Sequence, residues 1–158
     1  MTRRISLLAL LAATALLAGC GDGMVRRVSD PAVSVQQLTV KADGQWSVDL
    51  RLQNYSSIPM RFDTVEVDVQ VGDQSAGKLR ATPGLSVGPE SADVVTVAFA
   101  PSSAGRIVVA DALAGRRALP YALKGSASAT PEEAKPRTFD IDARSTLNPV
   151  PGLDGVLR

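Results

Sequence analysis

The sequence predicts an all-β protein with one short helix, folded as a seven-stranded antiparallel β-sandwich. Three observations predict it. Residues 45–54 (QWSVDLRLQN) and 64–72 (TVEVDVQVG) alternate apolar and polar side chains, the period of strands buried on one face. Clusters of Gly, Pro, Asn, Asp and Ser separate most of the patterned runs, the spacing of turns in a sandwich. Only one segment, residues 101–115 (PSSAGRIVVADALAG), breaks this rhythm.

The chain of 158 residues opens on Thr2-Arg3-Arg4 and an apolar run from Ile5 to Ala18. That run falls short of the ~20 apolar residues of a membrane-spanning helix. It also lacks the polar positions at helical period that a helix packed on a core would show. A cationic start followed by a short apolar stretch reads as a secretory signal peptide over residues 1–19. Leu17-Ala18-Gly19-Cys20 resembles the bacterial lipobox. The resemblance implies cleavage between Gly19 and Cys20, a diacylglyceryl group on the Cys20 thiol and an acyl group on its new amino terminus. Two or three acyl chains hold a small domain at a bilayer, each buried CH₂ contributing about 0.8 kcal/mol. Gly21, in place of Asp, follows the cysteine, which by the sorting rule of enteric bacteria favours the periplasmic face of the outer membrane over the inner membrane. Residues 20–32 then read as the lipidated cysteine and its polar tether.

The strands follow in order. Residues 33–40 run into the turn signal Ala42-Asp43-Gly44, which predicts a hairpin into the next strand. There Trp46, Val48, Leu50 and Leu52 face inward, and Ser47, Asp49, Arg51 and Gln53 outward. Val65, Val67, Val69 and Val71 form the buried row of the third strand. Met60 and Phe62 upstream are in the opposite phase, so a bulge is expected near Asp63-Thr64. Residues 76–81 read as a short edge strand. Residues 94–100 offer Val95, Val97 and Phe99; residues 119–127 offer Leu119, Tyr121, Leu123 and Gly125; residues 137–142 offer Phe139 and Ile141. Between them, Ser102 or Ser103 as N-cap and Gly115 as terminator bracket one helix. The sandwich is expected over residues 33–145. Residues 146–158, rich in Pro and Gly, read as an irregular tail.

The order of these features resembles the late embryogenesis abundant type 2 domain, also called the water stress and hypersensitive response (WHy) domain. The motifs are Asn54-Tyr55-Ser56 leading into Pro59-Met60-Arg61-Phe62, the Val-rich run from Val65 to Gly72, Ala76-Gly77, Gly88-Pro89-Glu90-Ser91 ahead of Val95-Thr96-Val97, and Tyr121-Ala122-Leu123-Lys124-Gly125. The resemblance covers about residues 33–141. Tyr55 stands where the family carries Pro, so the turn loses a fixed φ; Asn54 and Ser56 retain side chains that bond to nearby backbone. The resemblance implies an immunoglobulin/fibronectin type III-like sandwich, a link to desiccation or envelope stress, and no catalytic residues.

The chemistry-bearing residues point the same way. There are no histidines and one cysteine, which excludes an internal disulfide and removes the commonest general base and metal ligand. Asp140 and Asp142 share a strand face, as do Glu66 and Asp68; without further ligands they read as solvated faces rather than a metal or acid–base site. Ser102-Ser103 has no histidine to activate it. Gly21-Asp22-Gly23 lacks the lysine and helix of a phosphate loop. Trp46 and Tyr121 read as core anchors, with a ligand patch as the alternative. The pairs Arg26-Arg27 and Arg116-Arg117 are short; the first lies near the anchor, where each charge close to an anionic surface is worth ~1 kcal/mol. The 17 basic and 16 acidic side chains give a net charge of +1, and loss of Arg3 and Arg4 moves it to about −1, so no nucleic-acid partner is expected. The expected protein is not an enzyme. It binds no cofactor besides the covalent lipid, has the membrane as its partner through that lipid, and serves in stress tolerance. The alternative is an adaptor that docks an envelope protein. The oligomeric state stays open.

Overall fold

The computed structural model describes residues 26–158. The expected signal peptide, the Gly19–Cys20 cleavage site, the lipidated Cys20 and the first part of the tether lie outside the described residues.

Among the described residues nine strands and one helix follow in the order β1 (Ala32–Val40), β2 (Trp46–Gln53), β3 (Met60–Val71), β4 (Gln74–Ala81), β5 (Leu85–Val87), β6 (Ala92–Phe99), α1 (Ser103–Ala114), β7 (Leu119–Pro131), β8 (Arg137–Leu147) and β9 (Val156–Leu157). One sheet has the order β6-β2-β1-β9. The other has the order β4-β3-β7-β8, with β5 paired to the start of β3. Every pairing is antiparallel. Nine described strands replace the expected seven. The two additional ones, β5 and β9, have three and two residues, too few to show a period of two.

The alternation read in the sequence is the alternation that builds the core. On β2, Trp46, Val48, Leu50 and Leu52 are buried, and on β3 so are Val65, Val67, Val69 and Val71. Met60 and Phe62 are buried too, and the register against β7 shifts between Phe62 and Thr64. The extra residue there lets both apolar rows of β3 face inward, as their opposite phases require. A second shift, between Val35 and Gln37, interrupts the pairing of β1 with β2. The Tyr121 hydroxyl on β7 meets the Val35 peptide there, accepting its N–H at 3.1 Å, and so ties one sheet to the other. Gly125 on β7 lies opposite Val67. A Cβ there would fall 2.1 Å from the Glu66 carbonyl oxygen, so only glycine permits this approach of β7 to β3.

The two ends of the sandwich differ. At one end lie the β2–β3 turn, the β5–β6 turn and the β7–β8 turn. At the other, α1 crosses the hairpins β1–β2 and β3–β4: Gly44 sits beside Arg106 and Gly72 beside Val108. The helix starts where the Ser102 hydroxyl caps the Gly105 N–H at 3.0 Å and donates to the Ser75 carbonyl at 2.7 Å. Gly105 packs directly on Ala76 of β4; a Cβ at Gly105 would come 3.0 Å from the Ala76 Cα. The helix ends at Ala114 and caps on Gly115, where the glycine signal places its end; the left-handed residue follows one position later. Arg116, not Gly115, takes the left-handed conformation (φ 50°). Its N–H bonds to the Leu113 carbonyl and the Arg117 N–H to the Ala112 carbonyl, the paired closure of a Schellman motif.

The stretch read as an irregular tail is joined to the sandwich. Leu157 of β9 pairs with Leu38 of β1 and is fully buried. The Val40 N–H bonds to the Gly155 carbonyl at 2.8 Å.

Candidate functional site

The acidic residues singled out in the sequence stand on the outer face of the five-stranded sheet. Register aligns them in rows across it. Lys78, Asp68, Lys124 and Asp142 form one row, and Arg80, Glu66, Ser126 and Asp140 the next. Lys78 lies 3.3 Å from Asp68, Arg80 lies 3.4 Å from Glu66, and Arg144 lies 3.7 Å from Asp142. Each of these side chains is about half exposed or more, and opposite charges neighbour one another. The rows make a solvated ladder of weak ion pairs. Among the described residues no group of three or more His, Cys, Asp or Glu is placed to hold a metal ion.

The other chemical candidates have structural occupations. Trp46 is buried against Phe99, its in-register partner, with ring centroids 5.7 Å apart. Tyr121 is buried between the sheets. The Ser102 hydroxyl is engaged in the helix cap, and Ser103 is the exposed first residue of α1. Arg117 pairs with Asp111.

Two surfaces remain. The first is a groove of about 430 Å³ at the helix end of the sandwich, lined by Leu113, Arg116 and residues 149–155. The Pro/Gly-rich composition of that segment gave no sign that it folds back to form a wall.

The second is the opposite end, built on Asn54. This side chain is fully buried and reaches four backbone groups. Its amide donates toward the carbonyls of Ile58, Val87 and Gly88 at 2.9, 3.2 and 2.9 Å, and its oxygen accepts the Ser56 N–H at 2.8 Å. Ser56, also fully buried, accepts the Ser29 N–H on its hydroxyl at 3.0 Å. The local bonds expected of Asn54 and Ser56 therefore extend to two other segments of the chain. Between these buried residues Tyr55 stands 52% exposed.

Residues 26–29, expected to belong to a tether, are bound to this end. Arg27 and Ser57 bond reciprocally: the Arg27 N–H donates to the Ser57 hydroxyl and the Ser57 N–H to the Arg27 carbonyl. Arg26 lies 2.6 Å from Glu133 and Arg27 lies 3.0 Å from Glu90. Among the described residues no helix is long and apolar enough to cross a membrane.

A family model described as "Late embryogenesis abundant protein" matches residues 49–144. No curated protein matches the chain in sequence. Among solved structures, the chain is similar to a protein of Arabidopsis thaliana at 14% identity and TM-score 0.49, over 82% of this chain and 84% of that one. It is similar to a candidate late embryogenesis abundant protein at 12% identity and TM-score 0.49, over 95% and 88%. It is also similar to a protein of Archaeoglobus fulgidus at 11% identity and TM-score 0.41, over 76% and 97%.

Proposed function

This chain belongs to the late embryogenesis abundant protein family, and on that premise we propose that it is a lipid-anchored, stress-related module of a bacterial envelope without catalytic activity. The family match supports the stress-related, non-catalytic part of this reading. The finer parts rest on Leu17-Ala18-Gly19-Cys20 behind an apolar run, the single observation that carries the anchor. On this reading Cys20 is the first residue of the mature protein and bears the diacylglyceryl and acyl groups. The domain faces the periplasm, on the outer membrane by the Gly21 rule, and protects the cell against water loss. Its two-sheet antiparallel sandwich suits an immunoglobulin- or fibronectin type III-like module working through its surfaces.

Cys20→Ala tests the anchor. The variant is expected to leave the detergent-soluble membrane fraction and to lose lipid-dependent mobility on gels. Unchanged fractionation and mobility would overturn the reading. A deletion strain is expected to survive drying less well than its parent, and equal survival would remove the stress role.

The second reading is an adaptor that docks an envelope protein. Strand β8 favours it, because among the described residues it forms a strand ladder with β7 alone and so can bond a further strand beyond the stretch flanked by residues 31–33. Cross-linking in cells that finds no reproducible partner would remove it.

A further inference from the structure

The end of the sandwich built on Asn54 is also the end at which the described chain begins. If Cys20 carries lipid, as proposed above, this end is the nearest to the bilayer. The chain from Cys20 to Arg26 reaches at most about 20 Å when fully extended. The sandwich is longer: β8, with 11 residues, spans about 35 Å at roughly 3.3 Å per residue. The helix end and its groove are therefore held away from the membrane whenever the domain stands on its Asn54 end.

Two features select that upright posture. The first is a clasp on residues 26 and 27. Glu90 and Glu133, which pair with Arg27 and Arg26, both hold left-handed backbone, with φ of 48° and 58°. Glycine is the residue that adopts such turns without steric cost. A strained position filled by a side chain that binds a distant segment points to a use for that contact. The Arg26 guanidinium also donates to the Glu132 carbonyl at 2.9 Å, and that of Arg27 to the Tyr55 carbonyl at 3.2 Å. The second feature is Tyr55. It projects 52% exposed from a turn whose flanking residues are fully buried, so its ring is held out on a firm base. An amphipathic ring of this kind settles at the headgroup level of a bilayer.

We propose that the Asn54 end of the domain is apposed to the lipid bilayer, with Tyr55 in the headgroup layer, and that the bonds of residues 26–29 to this end, those from Arg26 and Arg27 to Glu133 and Glu90 added to the Arg27–Ser57 and Ser29–Ser56 bonds, fix this posture. The inference rests on lipidation of Cys20 and adds to it an orientation and a contact residue. Its consequence is polarity: the groove beside Leu113 and Arg116 faces away from the membrane.

The test uses the lipidated mature chain in phosphatidylethanolamine–phosphatidylglycerol vesicles that carry a nitroxide on a fraction of the headgroups. The native Trp46 is 1% exposed and serves as a background in the unsubstituted protein. Tyr55→Trp adds a reporter at the Asn54 end and Leu153→Trp one at the groove end; both sites are exposed, so neither change strains the core. Tyr55→Trp is expected to be quenched several-fold more than Leu153→Trp. In a Tyr55→Trp chain that also carries Glu90→Gly and Glu133→Gly, quenching is expected to fall toward the Leu153→Trp level while flotation with vesicles is kept. Protein that floats but shows equal quenching at both sites overturns the orientation and leaves the anchor standing. Undiminished quenching in the glycine double variant overturns the clasp. Protein that does not float overturns the anchor and the orientation together.

Discussion

Asn54 is one of the two polar side chains buried among the described residues. It holds the β2–β3 turn and the β5–β6 turn together through bonds to Ile58, Val87, Gly88 and Ser56, all from a position without solvent access. Truncation would leave several buried backbone groups unpaired, each at about 1–3 kcal/mol. Asn54→Ala is expected to destabilise the domain by about 3 kcal/mol, read as a lower urea midpoint at unchanged slope. Asn54→Asp keeps the acceptor for Ser56 but turns a carboxylate toward three carbonyl oxygens, so it is expected to be at least as damaging. A midpoint for either variant equal to the parent's would refute this role. The sequence pattern made Asn54 visible as a turn residue that bonds locally. Its reach to Val87 and Gly88 was not visible, because 33 and 34 residues separate them in the chain and no local pattern encodes that contact.

At the scale of elements, legibility followed the contrast between side chains. The Val/acid alternation of β3 revealed its buried row, and the phase conflict with Met60 and Phe62 revealed its bulge. Strand β7 runs on to Pro131, past the expected end at Ala127; there residues 126–130 alternate Ser and Thr with small Ala. That pair of types offers little hydropathy contrast, yet Ala127 and Ala129 are fully buried. The end of α1 shows a second kind of gap. Glycine marks helix ends through its tolerance of left-handed backbone; Gly115 does cap α1, but the left-handed φ falls on Arg116, which no residue-type signal marks. A side chain in that conformation costs roughly 1–2 kcal/mol, part of which glycine regains at the expense of a freer unfolded chain. Arg116→Gly is therefore expected to stabilise the domain by up to about 1 kcal/mol. A melting temperature unchanged or lowered in this variant would show that the Arg116 side chain compensates its own strain through contacts along the groove.

For the whole molecule, the decisive contacts lie between segments far apart in sequence. The Asn54 end gathers residues 26–29, 54–58, 87–91 and 131–134, and the groove end gathers α1 with the last residues of the chain. The resemblance of Leu17-Ala18-Gly19-Cys20 to a lipobox can be read because it lies in four consecutive residues; these ends cannot, because each is assembled by the sandwich. The C-terminal segment gives this a measurable form. Residues 148–158 place the fully buried Leu157 against β1, supply the Gly155 carbonyl to the Val40 N–H, and bring the Arg158 Nε to 2.7 Å from the Gln37 side-chain oxygen. Loss of one buried Leu costs about 1.5–3 kcal/mol, and the unpaired edge of β1 adds to it. Domains of this size have only about 5–15 kcal/mol of stability in total. A chain ending at Leu147 is thus expected to fold but to melt roughly 10 °C lower, at about 4 °C per kcal/mol. One continuous core joins Trp46 of one sheet to Phe139 and Ile141 of the other. Trp46 fluorescence and far-ultraviolet circular dichroism should therefore report a single coincident transition in both chains. An unchanged melting temperature would return the segment to the status of a tail, and separate transitions for the two probes would show that the sheets unfold independently.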